Sequence, residues 1–389
     1  MAEYQYYEFT TIHRSLSRDE QQTVGTWSSR AVVTSNSASF TYNYGDFKHN
    51  PETCLLSHFD MMLYVASYGC RRLMFRFPEK TVDFKAMKAY AWENADDYEH
   101  SLLIYKKDGF VVVDIDENLE EGFDNWVDGE GILSGLALLW TDIVNGNYAC
   151  LYLAWVNFAT QYLEIMEGLE EEEEEEDEGT IKLFEPPVPV GLKKDYPALR
   201  EFMDFWNISD DLRKAAAQKS PEATEVPLEK LEQALDRLPL TEKNDYLIRL
   251  LHNEPLHRIE LLKRLHEIME IAPATAAGPT RSIQDLLQAK VVVAADRTER
   301  EKLEAAEKRR LELESMRKRE SAIWDAVWTN LLKKTASGYQ HAINDLKDLR
   351  DLADYCNTKA VFDLKIAEIQ EQFQRSPTLL QRLRDALLG

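Results

Sequence analysis

The sequence predicts an α+β protein, with a mixed α/β domain at the N-terminus and an all-helical second half that contains a long charged helix and a C-terminal helical hairpin. Three observations predict this fold class. Segments typical of strands lie before residue 120. A run of nine carboxylates, Glu170 to Glu178, is followed by a proline-rich stretch. After that stretch, apolar residues recur at helical spacing.

Two segments divide the 389 residues into domains. The acidic run repels itself and buries nothing, and the prolines after it are incompatible with a helix interior or a central strand. Small residues and prolines form a second linker, "APATAAGPT". We therefore expect an α/β domain at 1–168, an acidic and Pro-rich linker at 169–190, a helical domain at 191–271, a linker at 272–281, and a long helix with a C-terminal helical module at 282–389. The acidic run is interpreted as a tether, and an arm for a basic partner is the alternative.

The charge is unevenly distributed. Of the net charge of −23, residues 1–185 hold 13 Lys and Arg against 35 Asp and Glu, whereas the remainder holds 33 against 34. An acidic first half repels phosphate, which makes nucleic-acid binding unlikely there but possible through the C-terminal half. The polar N-terminus and the lack of a long apolar run favour a cytoplasmic protein with no membrane contact.

The N-terminal elements follow from local patterns. "EYQYYEFTTI" alternates like a strand, and Ser17 with Glu20 predicts the capping box of a short helix. Two strands are expected near 30–34 and 38–47. "PETCLLSHFDMMLYVASYG" predicts one amphipathic helix between Pro51 and Gly69, with an apolar stripe of Leu55, Phe59, Met62, Leu63 and Ala66.

The pattern then changes back to strands. "CRRLMFRFP" predicts a strand, and "SLLIYKKDGFVVVDID" predicts a hairpin because Asp108-Gly109 can supply the positive φ angles of a tight turn. The apolar stretch 131–166 predicts two helices, broken at 145–147, of which the second is buried.

The second half predicts helices throughout. Residues 196–218 give one or two short helices, and residues 226–271 give three more that resemble a small stack of helical hairpins. The apolar residues of that stack recur at helical spacing: Leu247, Leu250, Leu251, Leu256, Ile259, Leu262 and Leu265. A long charged helix starts near Ser282, and Ser376-Pro377 starts the final helix.

No catalytic, cofactor-binding or metal residue is predicted, and no cofactor. The four cysteines form no CxxC pair, no two histidines lie four residues apart, and no phosphate-binding loop is present. The carboxylate cluster at 114–130 invites a metal interpretation, because Asp114 and Asp116 would point to one side of a strand. A calcium loop counted from Asp114 would need Gly and Glu where Leu119 and Asn125 stand. A solvated loop is favoured, and a metal-dependent hydrolase using Asp114, Asp116 and Asp128 is the alternative.

Partner-binding candidates lie near the end of the long helix. Trp324 and Trp328 are one turn apart, and tryptophan dominates interface hot spots. The alternative is that both rings close the core of the C-terminal hairpin. The basic residues Arg309, Arg310, Arg317, Lys318 and Arg319 are interleaved with Glu, so a salt-bridged solvated helix is favoured over nucleic-acid contact.

Two groups of segments carry a resemblance to known families. "EYQYYEF", "YGDF", "HFDMMLYVASYGCRRLMFRFP" and "WVDGEG" resemble a family of uncharacterised bacterial proteins. "TASGYQHAINDLKDLRDLADY" and "FDLKIAEIQEQFQRSPTLLQRL" are similar to a tail module of bacterial proteins associated with SWIM-type zinc fingers. The finger itself needs a CxC pair and a later Cys-x-His, which this sequence does not have. The resemblance implies membership of a bacterial multi-protein system, without an assigned activity or a residue role to transfer.

The expected function is that of a non-catalytic protein-interaction module, an adaptor or a regulated subunit whose partner is another protein of the same system. The uneven charge and the failed catalytic patterns motivate this expectation. A metal-dependent hydrolase using the 114–130 cluster and a nucleic-acid-binding accessory protein using the basic residues at 308–319 are the alternatives.

Overall fold

The computed structural model describes residues 4–94, 97, 99–119, 128–170, 183–222, 227–251, 257–269 and 281–387. The chain divides into two compact units, Met1–Val293 and Ala294–Gly389. The architecture is α+β, because an antiparallel sheet with helices lies in the first unit and the second unit is helical.

A seven-stranded antiparallel sheet organises the first unit, in the order β2-β3-β1-β4-β5-β7-β6. Its strands are β1 (Gln5–Thr10), β2 (Ala31–Val33), β3 (Ser37–Tyr42), β4 (Met61–Ala66), β5 (Cys70–Pro78), β6 (His100–Lys107) and β7 (Phe110–Asn118). At one side of the sheet, β2 has only three residues. At the other side, Trp92 forms an isolated bridge to Leu102 of β6.

Ten α-helices are described within the first unit, and an eleventh contains the boundary between the units. They are α1 (Arg18–Gly25), α2 (Pro51–His58), α3 (Phe84–Lys88), α4 (Ile132–Val144), α5 (Ala149–Glu170), α6 (Pro197–Phe205), α7 (Asp210–Ala217), α8 (Leu228–Arg237), α9 (Leu240–Leu251), α10 (His257–Ile268) and α11 (Ile283–Arg317).

Each face of the sheet has its own core. On one face Phe75 of β5 belongs to a large buried cluster with Trp140 of α4 and Phe202 of α6. On the other face Phe9 and Phe40 pack with Leu55 of α2. Burial on both faces makes the central strands apolar at successive positions, as in the sequence of β4.

The prediction of one helix over residues 51–69 is wrong beyond His58. The structure ends α2 at His58, and the next residue, Phe59, is extended (φ −121°, ψ 167°). Met61–Ala66 forms β4, between β1 and β5. Met62 packs into one core and Leu63 into the other. The sequence of β4 therefore lacks the alternation of a half-buried strand, and some of its apolar residues have helical spacing.

Several local signals are confirmed. Ser17 and Glu20 form both hydrogen bonds of the capping box at α1. Asp108 and Gly109 connect β6 to β7 with φ of 51° and 80°, as a tight hairpin turn requires. α4 ends at Val144 and α5 starts at Ala149, which confirms the expected break.

The second unit is a helical module with a separate core. After α11 it contains α12 (Glu320–Leu332), α13 (Ala336–Tyr355), α14 (Lys359–Gln372) and α15 (Pro377–Leu387). Val327, Leu346 and Ile369 are fully buried in its core. Each is contributed by a different helix, so the module is held by tertiary packing.

The domain boundaries expected at 169–190 and 272–281 stay predictions, since 171–182 and 270–280 lie outside the described residues. Residues on both sides of the first segment share one core. Leu192, Leu199 and Trp206 belong to the same buried cluster as α5. Among the described helices, none is long and apolar enough to cross a membrane.

Candidate docking surface

The three helices α8, α9 and α10 share a small core. Ala234 and Leu238 pack against Leu265 of α10, and few other side chains join them. α8 supplies Leu231 and α10 supplies Leu261 at the partly buried edge. α9 contributes no buried residue, although half of its residues are apolar or aromatic.

The apolar residues of α9 face solvent. Leu240, Leu247 and Leu251 follow one another at helical spacing, and Ile248 and Leu250 flank them. Their exposed fractions lie between 51% and 81%. We call these five residues the α9 patch.

The opposite, polar face of α9 points toward α10. Arg264 of α10 pairs with Glu242 at 3.0 Å, and Arg249 pairs with Glu260 at 2.7 Å. The Arg249 guanidinium also lies 5.7 Å from the centre of the Tyr246 ring. Glu242, Tyr246 and Arg249 are half-buried, whereas every residue of the patch is exposed.

This arrangement reverses the usual orientation of an amphipathic helix, in which the apolar stripe faces the core and the charged face meets water. Single exposed leucines are common on protein surfaces and need no explanation. A contiguous stripe on one helix is different, because apolar patches of several hundred Å² mark interaction sites. The α9 patch is therefore the strongest candidate for a docking surface in the described part of the chain.

Asp60 is the centre of a buried polar cluster under the sheet. It is fully buried and accepts a hydrogen bond from the Ile12 amide at 2.7 Å, and Arg76 Nη2 lies 2.8 Å from its other oxygen. His13 Nδ1 lies 2.9 Å away. Burial opposes the charge of Asp60, but these donors outweigh it and lower its pKa. Both oxygens of Asp60 have partners. The cluster therefore joins the residue before β4 to β5 and to the chain after β1.

A second buried cluster surrounds His100. Its Nδ1 lies 3.0 Å from Asp97, and its Nε2 lies 3.1 Å from Gln161 of α5 and 3.6 Å from Glu117. Burial alone would lower the pKa of His100, but contact with Asp97 and Glu117 raises it to about 9. His100 is protonated at neutral pH, so it is unavailable as a general base.

The structure places the acidic candidates of 114–130 in different surroundings. Asp114 binds Arg72 through both oxygens, at 2.7 and 2.6 Å. Asp116 has no hydrogen-bond or ion-pair partner among the described residues, and the Asp128 carboxylate accepts from the Glu130 amide. Asp124 lies outside the described residues. Within the described ranges, no three His, Cys, Asp or Glu side chains are grouped to hold a metal ion.

Both candidate tryptophans contact the helical module that contains them. Trp324 is buried, 5.9 Å from the ring of Phe362, and Lys365 Nζ lies 4.3 Å from its centre. Trp328 is half-buried and stacks on Phe373 at 6.4 Å. Any partner role of Trp324 would require it to become more accessible.

The basic candidates on α11 carry nearby acidic partners. Arg309 pairs with Asp351 of α13 at 2.6 Å, and Arg310 pairs with Glu307 at 2.6 Å and with Glu314 at 3.0 Å. Arg317, Lys318 and Arg319 follow at the C-terminal end of α11, and all three are exposed.

The sequence identified α9 as a helix but not its patch. The helical spacing places Leu247, Leu250 and Leu251 in one recurring set with Leu265, which is buried. The available signal was the second, charged stripe of Glu242 and Arg249, which could pair with charges on a following helix. A sequence pattern alone does not say which of two stripes is covered.

Comparisons of the chain with models of protein families, with curated proteins and with solved structures gave no match. The resemblance to a SWIM-associated bacterial family therefore stays an expectation from short segments.

Proposed function

We propose that this chain is a non-catalytic protein-interaction module that binds another protein through the α9 patch. The observation that carries the proposal is the reversed orientation of α9, which packs its charged face inward and leaves five apolar side chains exposed. Exposing such a stripe is unfavourable in water, so a partner that covers it gains free energy from apolar burial.

The surroundings of the other candidates support this choice over catalysis. Asp114 is held by Arg72, and His100 is enclosed by its hydrogen-bond partners. A general base needs access to substrate and a pKa near the working pH. We further propose that the partner belongs to the same cytoplasmic bacterial system, in which the chain acts as an adaptor or regulated subunit.

Affinity purification of the tagged full-length chain from its source cell tests the proposal. The double variant Leu247→Glu, Leu251→Glu places charge in the centre of the patch, where truncations are most costly for binding. Leu303→Glu is the matched control, because Leu303 is a similarly exposed leucine on α11, at 62% against 58% for Leu247. We expect at least one protein to be depleted by about tenfold or more with the double variant and retained with the control.

Recovery of the same proteins with the natural chain, the double variant and the Leu303→Glu control would contradict the proposal. Recovery of nucleic acid that is lost in high salt, without a protein that depends on α9, would instead support the nucleic-acid alternative through Arg317, Lys318 and Arg319. The metal alternative predicts that Mg²⁺ or Mn²⁺ raises the melting temperature and that Asp116→Ala abolishes the rise.

A further inference from the structure

The exposed face of α9 has the spacing of a coiled-coil seam. Leu240, Asn244, Leu247 and Leu251 are separated by four, three and four residues, and all four are exposed. Alternating steps of three and four residues place side chains along one line that a second helix can cover. Ile248 and Leu250 border that line.

Asn244 is the exception in an otherwise leucine seam. It lies between Leu240 and Leu247, and its side chain is exposed. An asparagine in a seam lowers stability against an apolar partner helix, because its amide would lose water without a replacement. The same asparagine on an identical, parallel helix offers both a donor and an acceptor, and this pairing specifies two-stranded association.

The size of the patch fits a weak self-association. Five side chains that are more than half exposed offer about 300 Å² of apolar surface, because full burial of one leucine removes on the order of 100 Å² from water. Two copies would bury about 600 Å² of apolar surface, plus neighbouring polar surface, and interfaces below about 1,200 Å² belong to weak complexes. Association in the micromolar range is the corresponding expectation.

We propose that α9 docks on α9 of a second copy of this chain, as a parallel pair around a two-fold axis that brings the two Asn244 side chains together. The proposal rests on the proposed function, because it names a second copy of this chain as an occupant of the same α9 patch. In a two-fold interface each residue of the seam contacts the same seam of its partner, so a charge introduced at position 244 faces its own copy.

Sedimentation velocity of the purified full-length chain between about 1 and 200 µM tests the pair at the concentrations a weak complex requires. We expect the natural chain to shift from monomer to dimer, Leu247→Glu to stay monomeric, and Leu303→Glu to dimerise like the natural chain. Asn244→Glu and Asn244→Lys should each be monomeric alone, because like charges meet at the axis. Mixed in equal amounts, they should form a heterodimer.

A natural chain that is monomeric throughout this range overturns the self-pairing. So does a dimer that survives Leu247→Glu, or a mixture of the two Asn244 variants that stays monomeric. A monomeric chain that still captures a different protein through the α9 patch overturns only the self-pairing and leaves the proposed function standing. A dimer that depends on α9, with no other protein captured, supports the self-pairing and confines the docking function to it.

Discussion

Asp114 and Asp116 lie on the same face of β7, two residues apart, and their surroundings differ. Asp116 is directly opposite Arg72 in the strand register, but the Arg72 guanidinium binds Asp114. Burial raises the pKa of Asp116 to about 6 from 3.8, against the attraction of Arg72 and with the repulsion of Asp114 and Glu117. At neutral pH the charged Asp116 carboxylate is therefore less favourable in the folded protein than in the unfolded chain, which lowers the free energy of unfolding.

Asp116→Asn should stabilise the protein at neutral pH. The folded pKa lies above the unfolded one, so the folded state binds more protons between pH 3.8 and about 6 and the contribution of Asp116 to stability falls across that window. Removing the charge should raise the free energy of unfolding by about 1–3 kcal/mol at pH 7.5 and leave it nearly unchanged at pH 3.5. Urea unfolding at both pH values measures the difference.

Asp114→Asn is the contrasting variant. It leaves the half-buried Arg72 without its bidentate partner, so we expect a loss of stability at pH 7.5. If both variants changed stability in the same direction, the difference in surroundings would not explain their behaviour.

At the scale of single elements, structure that is set by residues close in sequence is predictable from the sequence. Structure that is set by tertiary packing is not. The capping box at Ser17 and the turn at Asp108-Gly109 were predicted because their hydrogen bonds and φ angles are local. β4 was not, because burial on both faces removed its alternation. The α9 patch was missed for a related reason: the charges that face inward are neutralised by residues of another helix.

The orientation of α9 predicts that stability depends strongly on Leu265 and weakly on Leu251. Leu265→Ala removes a buried side chain that is 4% exposed and should accelerate amide exchange on α8 and α10 by about 30-fold or more, since such truncations cost about 2 kcal/mol or more. Leu251→Gln changes a side chain that is 81% exposed and should alter exchange by about twofold at most. Hydrogen exchange near 1 µM, below the expected range of self-association, measures both. Equal acceleration by the two variants would mean that Leu251 is covered within the monomer.

At the scale of the whole molecule, the chain before the acidic run and the chain after it are joined by packing. Leu192, Leu199 and Trp206 are fully buried or nearly so, in the same cluster as Trp140 and Tyr152. A break in the covalent chain between them would therefore leave the apolar contacts in place. The second unit, by contrast, has the separate core around Val327.

A glutamate-specific protease should cut first in the acidic run between Gly168 and Gly191, and a protease of broad specificity should also cut near 272–281. After cutting in the acidic run alone, we expect two bands on a denaturing gel but one peak in native size exclusion, because the fragments share a core. Unfolding in urea before the column is the control that must separate them. A core resistant across both segments would contradict the two expected linkers, and fragments that part without urea would contradict the shared core.

The two outer strands of the sheet restrict how this protein can associate. β2 offers only three residues, and β6 is bridged at Leu102 by both backbone hydrogen bonds of Trp92, at 2.9 and 3.1 Å. The far end of β6 carries Lys106 and Lys107. Short edges, bridges and lysines hinder the addition of a further strand from another chain, which is the first step of amyloid-like aggregation. The proposed docking through α9 relies instead on side chains of a helix, which discriminate between partners by sequence more sharply than an open backbone edge does.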